Sequence, residues 1–479
     1  MTTNITTTGE LLYLRISGNI EHKLKHNVLK VGDKLPSLRT VCREHGVSMS
    51  TATQAYLELE KKGLIESRPQ SGYYVCYSYR SFPAIPATSN PVSKPAAEET
   101  RELISKVYNE LGNKQTLLFS LGVPAPQLLP IPRLNKSLTK ALRTLPDSGT
   151  GYGQVEGNAK LRRQIARSSF TWQGKLEEED IITTAGCINA IAYCLMALTE
   201  KGDTIAVESP AYFGILQLAQ SKGLNVLELP THPQTGIELD ALENAFKNKR
   251  IKVCLLMSNF SNPLGSCMPA ENKREAVRLA EKYNVPIIED DLYGDVYFGN
   301  GRPVSCKTFD ESGMVLWCNS ISKTLAPGYR VGWVAPGRFK DKIKSLKMYN
   351  SISSGTLEQE AVADFLENGR YEHHLRKMRQ TLHTNSLQYI RAISEYFPED
   401  TRVSRPEGGF MLWIELDKHV DTTELYDKAM RQNISIAPGR MFTMQQQYNN
   451  CMRLSYGLLW NNRVDNALKY LGRTIKTLQ

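Results

Sequence analysis

The sequence predicts an α/β protein with a mainly parallel central sheet, and two observations support this fold class. From Leu117 onward, short apolar runs such as 204–207, 253–257 and 285–288 alternate with amphipathic helical stretches. This alternation is typical of βαβ units, in which helices cover both faces of a sheet. The chain has 479 residues, 41% of them hydrophobic, which is enough for roughly two or three domains with a large core.

Composition narrows the class of protein. A formal net charge of +10 permits binding to nucleic acid without requiring it. The nine cysteines are dispersed and no pair has C-x-x-C spacing, which predicts reduced thiols in a cytoplasmic protein and no metal site. The first residues lack the charged and apolar regions of a signal peptide, and no stretch reaches about 18 apolar residues, so we expect no membrane segment.

We expect three zones along the chain: a compact domain over 10–77, a proline-rich linker over 78–113 and one large domain over 114–479. Prolines at positions 83, 86, 91 and 95 favour an extended, semi-rigid linker. Near its end, the segment 102–111 predicts a short docked helix. Its apolar positions at near-helical spacing are Leu103, Val107, Tyr108 and Leu111.

The first zone has the pattern of helix, turn, helix and wing. A first helix is predicted from Leu11, Leu14, Ile20 and Leu24. Ser37 is suited to cap a second helix and Gly46 to end it. The next helix, 48–62, has an inner face formed by Ala52, Ala55, Tyr56 and Leu59, and 63–75 reads as two strands around a polar turn. This is a DNA-reading geometry, with the helix after the turn in the major groove.

The motifs Leu35-Pro36-Ser37-x-Arg39 and Gly63-Leu64-Ile65 through Ser71-Gly72 make this zone resemble the GntR family of winged helix-turn-helix repressors. The resemblance implies that the DNA contacts come from Arg39, Ser48, Ser50, Thr51, Gln54, Ser71 and Gly72. Met49 and Thr53 stand where the family often has arginines, so we expect a different base preference. Two alternatives stay open: a winged helix can serve protein contact alone, and Thr51 or Gln54 can be merely solvated.

The large domain contains a lysine motif, Ser320-Ile321-Ser322-Lys323, followed by Arg330. An amine after small hydroxyl residues suits an aldehyde cofactor that carries a phosphate, because the hydroxyls and the guanidinium can hold the phosphate. The sequence therefore predicts a site for pyridoxal 5'-phosphate (PLP).

Partners for this cofactor follow the ends of other apolar runs. Asp290 could pair with the pyridine nitrogen, and Tyr293 and Asn262 could bond the phenolic oxygen. Tyr212 is placed for stacking on the ring. The backbone N–H groups of Gly186, Cys187 and Ile188 precede a helix and could bind the phosphate, and Arg453 could bind a carboxylate.

In this order the motifs resemble the fold type I PLP enzymes, the aspartate aminotransferase superfamily, and most of all the aminoadipate and aromatic aminotransferases. The resemblance implies a large domain with a mainly parallel sheet and a smaller C-terminal α+β part. It also implies a homodimer in which Tyr152 reaches the partner's phosphate. Lys323 is then the Schiff-base lysine and, with Asp290 and Tyr293, the catalytic group.

The resemblance further implies how the cofactor and substrate are held. The phosphate is held by Ser320, Ser322, Arg330 and the backbone of 186–188, and the substrate by Arg453 and Asn262. Relatives often have Ser-Gln at Cys187-Ile188, so we expect a weaker side-chain grip on the phosphate. His373 and His374 lie in a polar run that reads as a solvated helix face, and we assign them no role.

A GntR reader, a linker and an aminotransferase-like domain, in that order, match the MocR subgroup of GntR regulators. Our first hypothesis is a PLP-dependent regulator that binds a double-stranded DNA operator and senses PLP, an amino acid or an amine. The second is a working PLP-dependent aminotransferase whose DNA domain is secondary. A third is a PLP-storage protein without a DNA site.

Overall fold

The computed structural model describes residues 11–25, 28–29, 32–68, 71–76, 83–94, 101–248, 251–299 and 301–479. Parts of all three expected zones lie outside the described residues. These are 10, 26–27, 30–31, 69–70 and 77 of the first domain, 78–82 and 95–100 of the linker, and 249–250 and 300 of the large domain.

The N-terminal domain is formed by α1 (Leu12–Lys25), α2 (Leu38–His45), α3 (Met49–Lys61) and a hairpin of β1 (Ile65–Arg68) and β2 (Gly72–Val75). The Ser37 side chain accepts the N–H of Thr40 at 3.2 Å, and Gly46 ends α2 at a φ of 62°. Both caps are local, and the sequence predicts both. The predicted inner face of α3 is completely buried, with 0% exposure at Ala52, Ala55, Tyr56 and Leu59.

Three expectations in this domain are wrong in detail. Leu11 and Leu14 are 42% and 38% exposed, and the inner face of α1 instead presents Ile16, which is 1% exposed. Thr51 is only 6% exposed, because it lies on the same face of α3 as Tyr56 and Ala55. The spacing of a helix gives its period, but the face that packs depends on the neighbouring helix.

The described part of the linker lies against the large domain. Ser89 exchanges two hydrogen bonds with Thr231: its backbone N–H donates at 3.2 Å and its hydroxyl accepts at 2.8 Å. The backbone of Val92 forms two more with the side-chain amide of Gln445, at 2.9 and 3.0 Å. We refer to residues 83–94 as the strap.

The short helix at the end of the linker is α4 (Arg101–Asn109). It docks through Ile104 and Val107, which are 8% and 0% exposed. Tyr108 and Leu111 were expected to face inward but are 40% and 60% exposed. Leu111 lies beyond the last residue of the helix, which explains why helical spacing misplaces it.

The large domain contains the remaining elements that the structure describes. Its helices are α5 (Ile131–Thr144), α6 (Ala159–Ser168), α7 (Cys187–Leu198), α8 (Phe213–Ser221), α9 (Leu239–Lys247), α10 (Ala270–Tyr283), α11 (Lys340–Ser351), α12 (Thr356–Glu367), α13 (Arg370–Tyr396), α14 (Thr422–Met430) and α15 (Asn462–Lys476). Its strands are β3 (Leu117–Leu118), β4 (Ile182–Thr184), β5 (Thr204–Glu208), β6 (Asn225–Leu229), β7 (Thr231–His232), β8 (Gly236–Ile237), β9 (Val253–Leu256), β10 (Ile287–Asp290), β11 (Val315–Ser320), β12 (Gly332–Ala335), β13 (Arg402–Val403), β14 (Met411–Glu415), β15 (Ile434–Ser435), β16 (Ala437–Pro438) and β17 (Cys451–Ser455).

The central sheet has the order β4-β12-β11-β10-β9-β5-β6. All of its strands run parallel except β12, which is antiparallel to both neighbours. Successive residues of β5 enter different buried clusters, Ile205 and Val207 in one and Ala206 in the other, so both faces of the sheet are covered. The α/β fold class predicted from alternating apolar runs is confirmed.

The C-terminal part contains an antiparallel sheet in the order β13-β14-β17-β16, packed with the long helix α13 and with α14 and α15. One expectation here is wrong. His374 lies on the buried side of α13 at 8% exposure, and its Nε2 is 2.6 Å from the carbonyl oxygen of Thr324, whereas His373 is exposed. Within the described ranges, no helix is long and apolar enough to cross a membrane.

Candidate functional site

The candidate site lies at the carboxyl edge of the central sheet. Asp290 ends β10, Ser320 ends β11 and Glu208 ends β5, and all three strands point the same way. In open parallel sheets, ligands bind outside this edge, because helix N-termini and loops meet there. Three separate sequence motifs are thereby brought together by topology.

Lys323 ends a short 3-10 turn directly after β11. Its amine donates to the carbonyl oxygen of Gly122 and lies 5.9 Å from the centre of the Tyr293 ring. Desolvation, followed by the positive charge of Arg453, lowers the pKa of Lys323 to about 8, although Asp290 opposes the change. A larger fraction of this amine is therefore neutral and nucleophilic near neutral pH than for an ordinary lysine.

Asp290 is 3% exposed, and one of its oxygens, Oδ1, accepts from two donors. These are the thiol of Cys187 at 3.2 Å and the backbone N–H of Leu292 at 3.3 Å. Burial raises the pKa of Asp290 to about 6, and the two hydrogen bonds oppose that rise. The Cys187 side chain thus contacts the Asp290 carboxylate. From the sequence, only the backbone N–H of Cys187 was expected to take part in the site.

The segment before α7 forms a tight cradle with Arg330. Gly186 has a φ of 94°, and a Cβ there would lie 2.3 Å from Nη2 of Arg330. Arg330 also donates to the carbonyl of Ala185 at 3.1 Å and makes a long contact of 3.4 Å to Oγ of Ser322. Since α7 begins at Cys187 without a side-chain cap, its first N–H groups are available for an anion beside the guanidinium.

The serines of the lysine motif are both buried. Ser320 is 4% and Ser322 is 9% exposed. Oγ of Ser320 accepts the N–H of Ser322 at 3.2 Å, so this hydroxyl also shapes the turn that carries the lysine.

On the other side of Lys323, a buried arginine and a buried tyrosine each keep a polar atom without a hydrogen-bond partner among the described residues. Arg453 is 1% exposed and donates to Oδ1 of Asn262 at 2.9 Å and to the carbonyl of Ser120, yet its Nε is unpartnered. The hydroxyl of Tyr293, which is 1% exposed, is unpartnered as well. Buried polar groups are rarely left unpaired, so these atoms indicate a missing ligand with acceptor oxygens.

Tyr108 is a side chain of the site that was not identified from the sequence. The hydroxyl of Tyr108, on α4, lies 3.1 Å from the hydroxyl of Tyr212. From its near-helical spacing, Tyr108 was expected only to pack a short helix against the large domain. Tyr152 is 84% exposed, so within a single chain it is not part of the buried site.

In the N-terminal domain, the residues expected to contact DNA do not form one uniform surface. Arg39, Ser48, Ser50, Ser71 and Gly72 are exposed, and Gln54 is half-buried. Ser48 caps α3 through the N–H of Thr51 at 3.2 Å and bonds Ser50 at 2.8 Å, so its hydroxyl already has a structural role.

Two family models match the chain. One, "Aminotransferase class I and II", matches residues 118–471, and the other, "Bacterial regulatory proteins, gntR family", matches residues 12–75.

The chain is also similar to two HTH-type transcriptional regulators of Escherichia coli (strain K12). It is 37% identical to YjiR, over 97% of this chain and 98% of the relative, and 35% identical to YdcR, over 97% and 99%. Among solved structures it is similar to LysN, an α-aminoadipate aminotransferase from Thermus thermophilus complexed with N-(5'-phosphopyridoxyl)-L-leucine. That likeness has a TM-score of 0.72 at 28% identity and covers 78% of this chain and 95% of the other.

Proposed function

This chain belongs to the aminotransferase class I and II family and carries a gntR-family domain at its N-terminus, the arrangement of MocR-type regulators, and on this basis we propose that it is a PLP-dependent transcriptional regulator. It binds operator DNA as a homodimer through the N-terminal domain and senses an amino acid or amine in the large domain. The observation that carries the proposal is the pair of buried unpartnered atoms beside Lys323, on Tyr293 and Arg453.

The residues present fit PLP. The cradle at Gly186 has room for no side chain beside Arg330, and it would hold the phosphate together with the first N–H groups of α7, Ser320 and Ser322. Oδ2 of Asp290 would face the pyridine nitrogen, since Oδ1 already has two donors. Tyr293 and Asn262 would bond the phenolic oxygen, and Tyr212 would lie against the ring.

When bound, PLP supplies an aldehyde for the amine and a ring that withdraws electrons from the amino acid carbon. Lys323, with its lowered pKa, would present a neutral amine to that aldehyde and would hold or move a proton at Nζ. Arg453 orients the effector by binding its carboxylate through the unpartnered Nε edge. Tyr152 extends into solvent, where it could reach the partner's phosphate in a homodimer.

Regulation requires the effector to favour one arrangement of the two domains over the other. The strap is part of the covalent connection between them, and it is held against the large domain by Gln445 and Thr231. We infer that effector binding changes DNA affinity through this connection.

A second candidate function is transamination, and one observation favours it. Lys323, Asp290 and Arg453, which provide the base, the ring partner and the carboxylate anchor, lie together in one buried site.

The test begins with visible spectra of the purified chain with PLP, before and after addition of single amino acids without a keto acid. Borohydride reduction followed by peptide mapping identifies the modified lysine. Lys347 is the internal control, because burial also lowers its pKa to about 8 while its Nζ contacts Oγ1 of Thr183 at 3.4 Å.

We expect labelling of Lys323 and not of Lys347, and an operator affinity that changes with the responsive amino acid. Complete conversion to the pyridoxamine form would favour the aminotransferase. No cofactor absorbance at all would refute both functions.

A further inference from the structure

A cationic cleft lies between α5 and the N-terminus of α13, away from Lys323 and Arg453. Its volume is about 510 Å³, and it is lined by Arg133, Lys136, Asn368, Gly369, Arg370 and His373. A second cleft of about 460 Å³ continues from it and shares Arg133 and His373. Volumes of this size suit a small molecule.

The cations of this cleft differ from their neighbours on the same helices. On α5, Lys140 pairs with Asp364, and on α13, Arg379 pairs with Glu372. Arg133, Lys136 and Arg370 are exposed and have no acidic partner among the residues that the structure describes. The cleft lining contains no carboxylate. Three like charges around one concavity repel one another unless an anion sits between them.

The backbone adds to this positive potential. α13 is 27 residues long, begins at Arg370 and has no side-chain cap, because the residue before it is Gly369 with a φ of 64°. Its first N–H groups and the positive end of its dipole therefore face the cleft. The N-terminus of α13 therefore adds to the attraction that the arginines exert on an anion in the cleft.

The second cleft is mostly apolar. Leu129, Met378 and Leu459 line it together with prolines 130 and 132. An inorganic ion would leave this wall exposed to water, whereas an organic group would cover it. We propose that the two clefts form one binding site for a small organic phosphate, with the phosphate between Arg133, Lys136 and Arg370 and the organic part against the apolar wall.

The wall of the second cleft also touches the lysine motif. His374 lines the cleft, and its Nε2 lies 2.6 Å from the carbonyl oxygen of Thr324, the residue after Lys323. A ligand that contacts His374 is thus connected to the turn that carries Lys323 through one hydrogen-bonded side chain. Binding itself does not depend on the proposed function, but any effect on the cofactor does.

The experiment measures binding of phenyl phosphate to the full chain by isothermal titration calorimetry. The chain is first loaded with PLP and reduced with borohydride, so that the phosphate position beside Arg330 is filled. We expect saturable binding of phenyl phosphate, weaker binding of inorganic phosphate and none of phenol. If the chain takes up no PLP, the missing visible absorbance reports failure of the proposed function, and the matched variants still report on the cleft.

Matched variants assign the site. Arg133→Gln and Arg370→Gln each remove a charged donor from the cleft, and we expect each to weaken binding by about tenfold or more. Arg143→Gln and Arg376→Gln remove exposed arginines from the same two helices outside the cleft, and we expect no change. Melting temperatures verify that all four variants fold.

Two results would overturn the proposal. The first is equal binding of phenyl phosphate by the cleft variants and the control variants. The second is no binding of phenyl phosphate. If both cleft variants then weaken the binding of a duplex without operator sequence, the cleft is a contact for the DNA backbone instead.

Discussion

Replacing Gly186 by alanine tests the phosphate cradle directly. The new Cβ would lie 2.3 Å from Nη2 and 2.9 Å from Cζ of Arg330, both closer than atoms in contact allow. The guanidinium is the far end of a flexible side chain, so it can move aside without unfolding the chain. We therefore expect the substitution to displace Arg330 and to weaken the binding of PLP.

The magnitude has two parts. A residue with a Cβ at the φ of 94° and ψ of 166° of Gly186 destabilises the fold by about 1–3 kcal/mol. Loss of a hydrogen bond to a charged phosphate costs about 1.5–3 kcal/mol, which corresponds to an increase in the Kd for PLP of about ten- to a hundredfold. The first part lowers the melting temperature, and the second appears only in cofactor binding.

Two other glycines separate these parts. Gly202→Ala places a Cβ at a φ of 92° with no atom within 4 Å, so it introduces the strain of a positive φ without a steric clash. Gly328→Ala, between Lys323 and Arg330, has neither a positive φ nor a close contact. The assay is a PLP titration by visible absorbance, with thermal unfolding of each variant in parallel.

We expect only the Gly186 variant to lose PLP affinity, and both the Gly186 and Gly202 variants to melt earlier. If the Gly186 variant binds PLP as tightly as the unmodified chain, the cradle does not hold the phosphate. If the Gly202 variant loses affinity equally, the effect is general destabilisation and the reasoning from Arg330 is wrong.

Three further predictions concern the same domain. The rate of PLP uptake in stopped-flow absorbance rises with pH through about 8, because the neutral amine of Lys323 is the reactive form. In Arg453→Gln the midpoint of this pH profile moves upward, because a cation that lowers the pKa of Lys323 has been removed. An unchanged midpoint would contradict this. Asp290→Asn binds PLP more weakly because a neutral amide cannot offset the charge of a protonated pyridine, and an unaltered Kd in the absorbance titration would remove Asp290 from that role. Gln445→Ala removes both hydrogen bonds to Val92, so it lowers the free energy of unfolding by about 1–2 kcal/mol and exposes the strap to limited proteolysis. If the variant resists trypsin as well as the unmodified chain does, other contacts hold the strap.

Local features were predictable from the sequence because the residues themselves impose them. Ser37 and Gly46 begin and end α2 where the sequence places them, since a cap needs only a side-chain oxygen and an end needs a residue that tolerates positive φ. The alternation of apolar runs with helical stretches is likewise readable along the chain, and it predicted the parallel sheet.

The candidate site was predictable as a set of chemical groups and not as an arrangement. Lys323, Asp290, Asn262 and Arg453 were named because their chemistry suits one cofactor. Their assembly depends on the parallel sheet, which brings the ends of β10 and β11 to one edge.

Contacts between distant parts of the chain needed the tertiary structure. Tyr108 meets Tyr212 across 104 positions, and the Cys187 thiol reaches Asp290 across 103. No local pattern encodes these pairs, because each depends on how a helix packs against the sheet.

The sequence alone determined the order of the domains, the elements with strong local signals and the chemistry of the cofactor site. The tertiary structure decided which face of each helix is buried, as at Thr51 and His374, and which donors remain unpartnered beside Lys323. The reason is physical: caps and periodicity act over a few residues, whereas burial and the electrostatic field at a site are sums over neighbours from the whole chain.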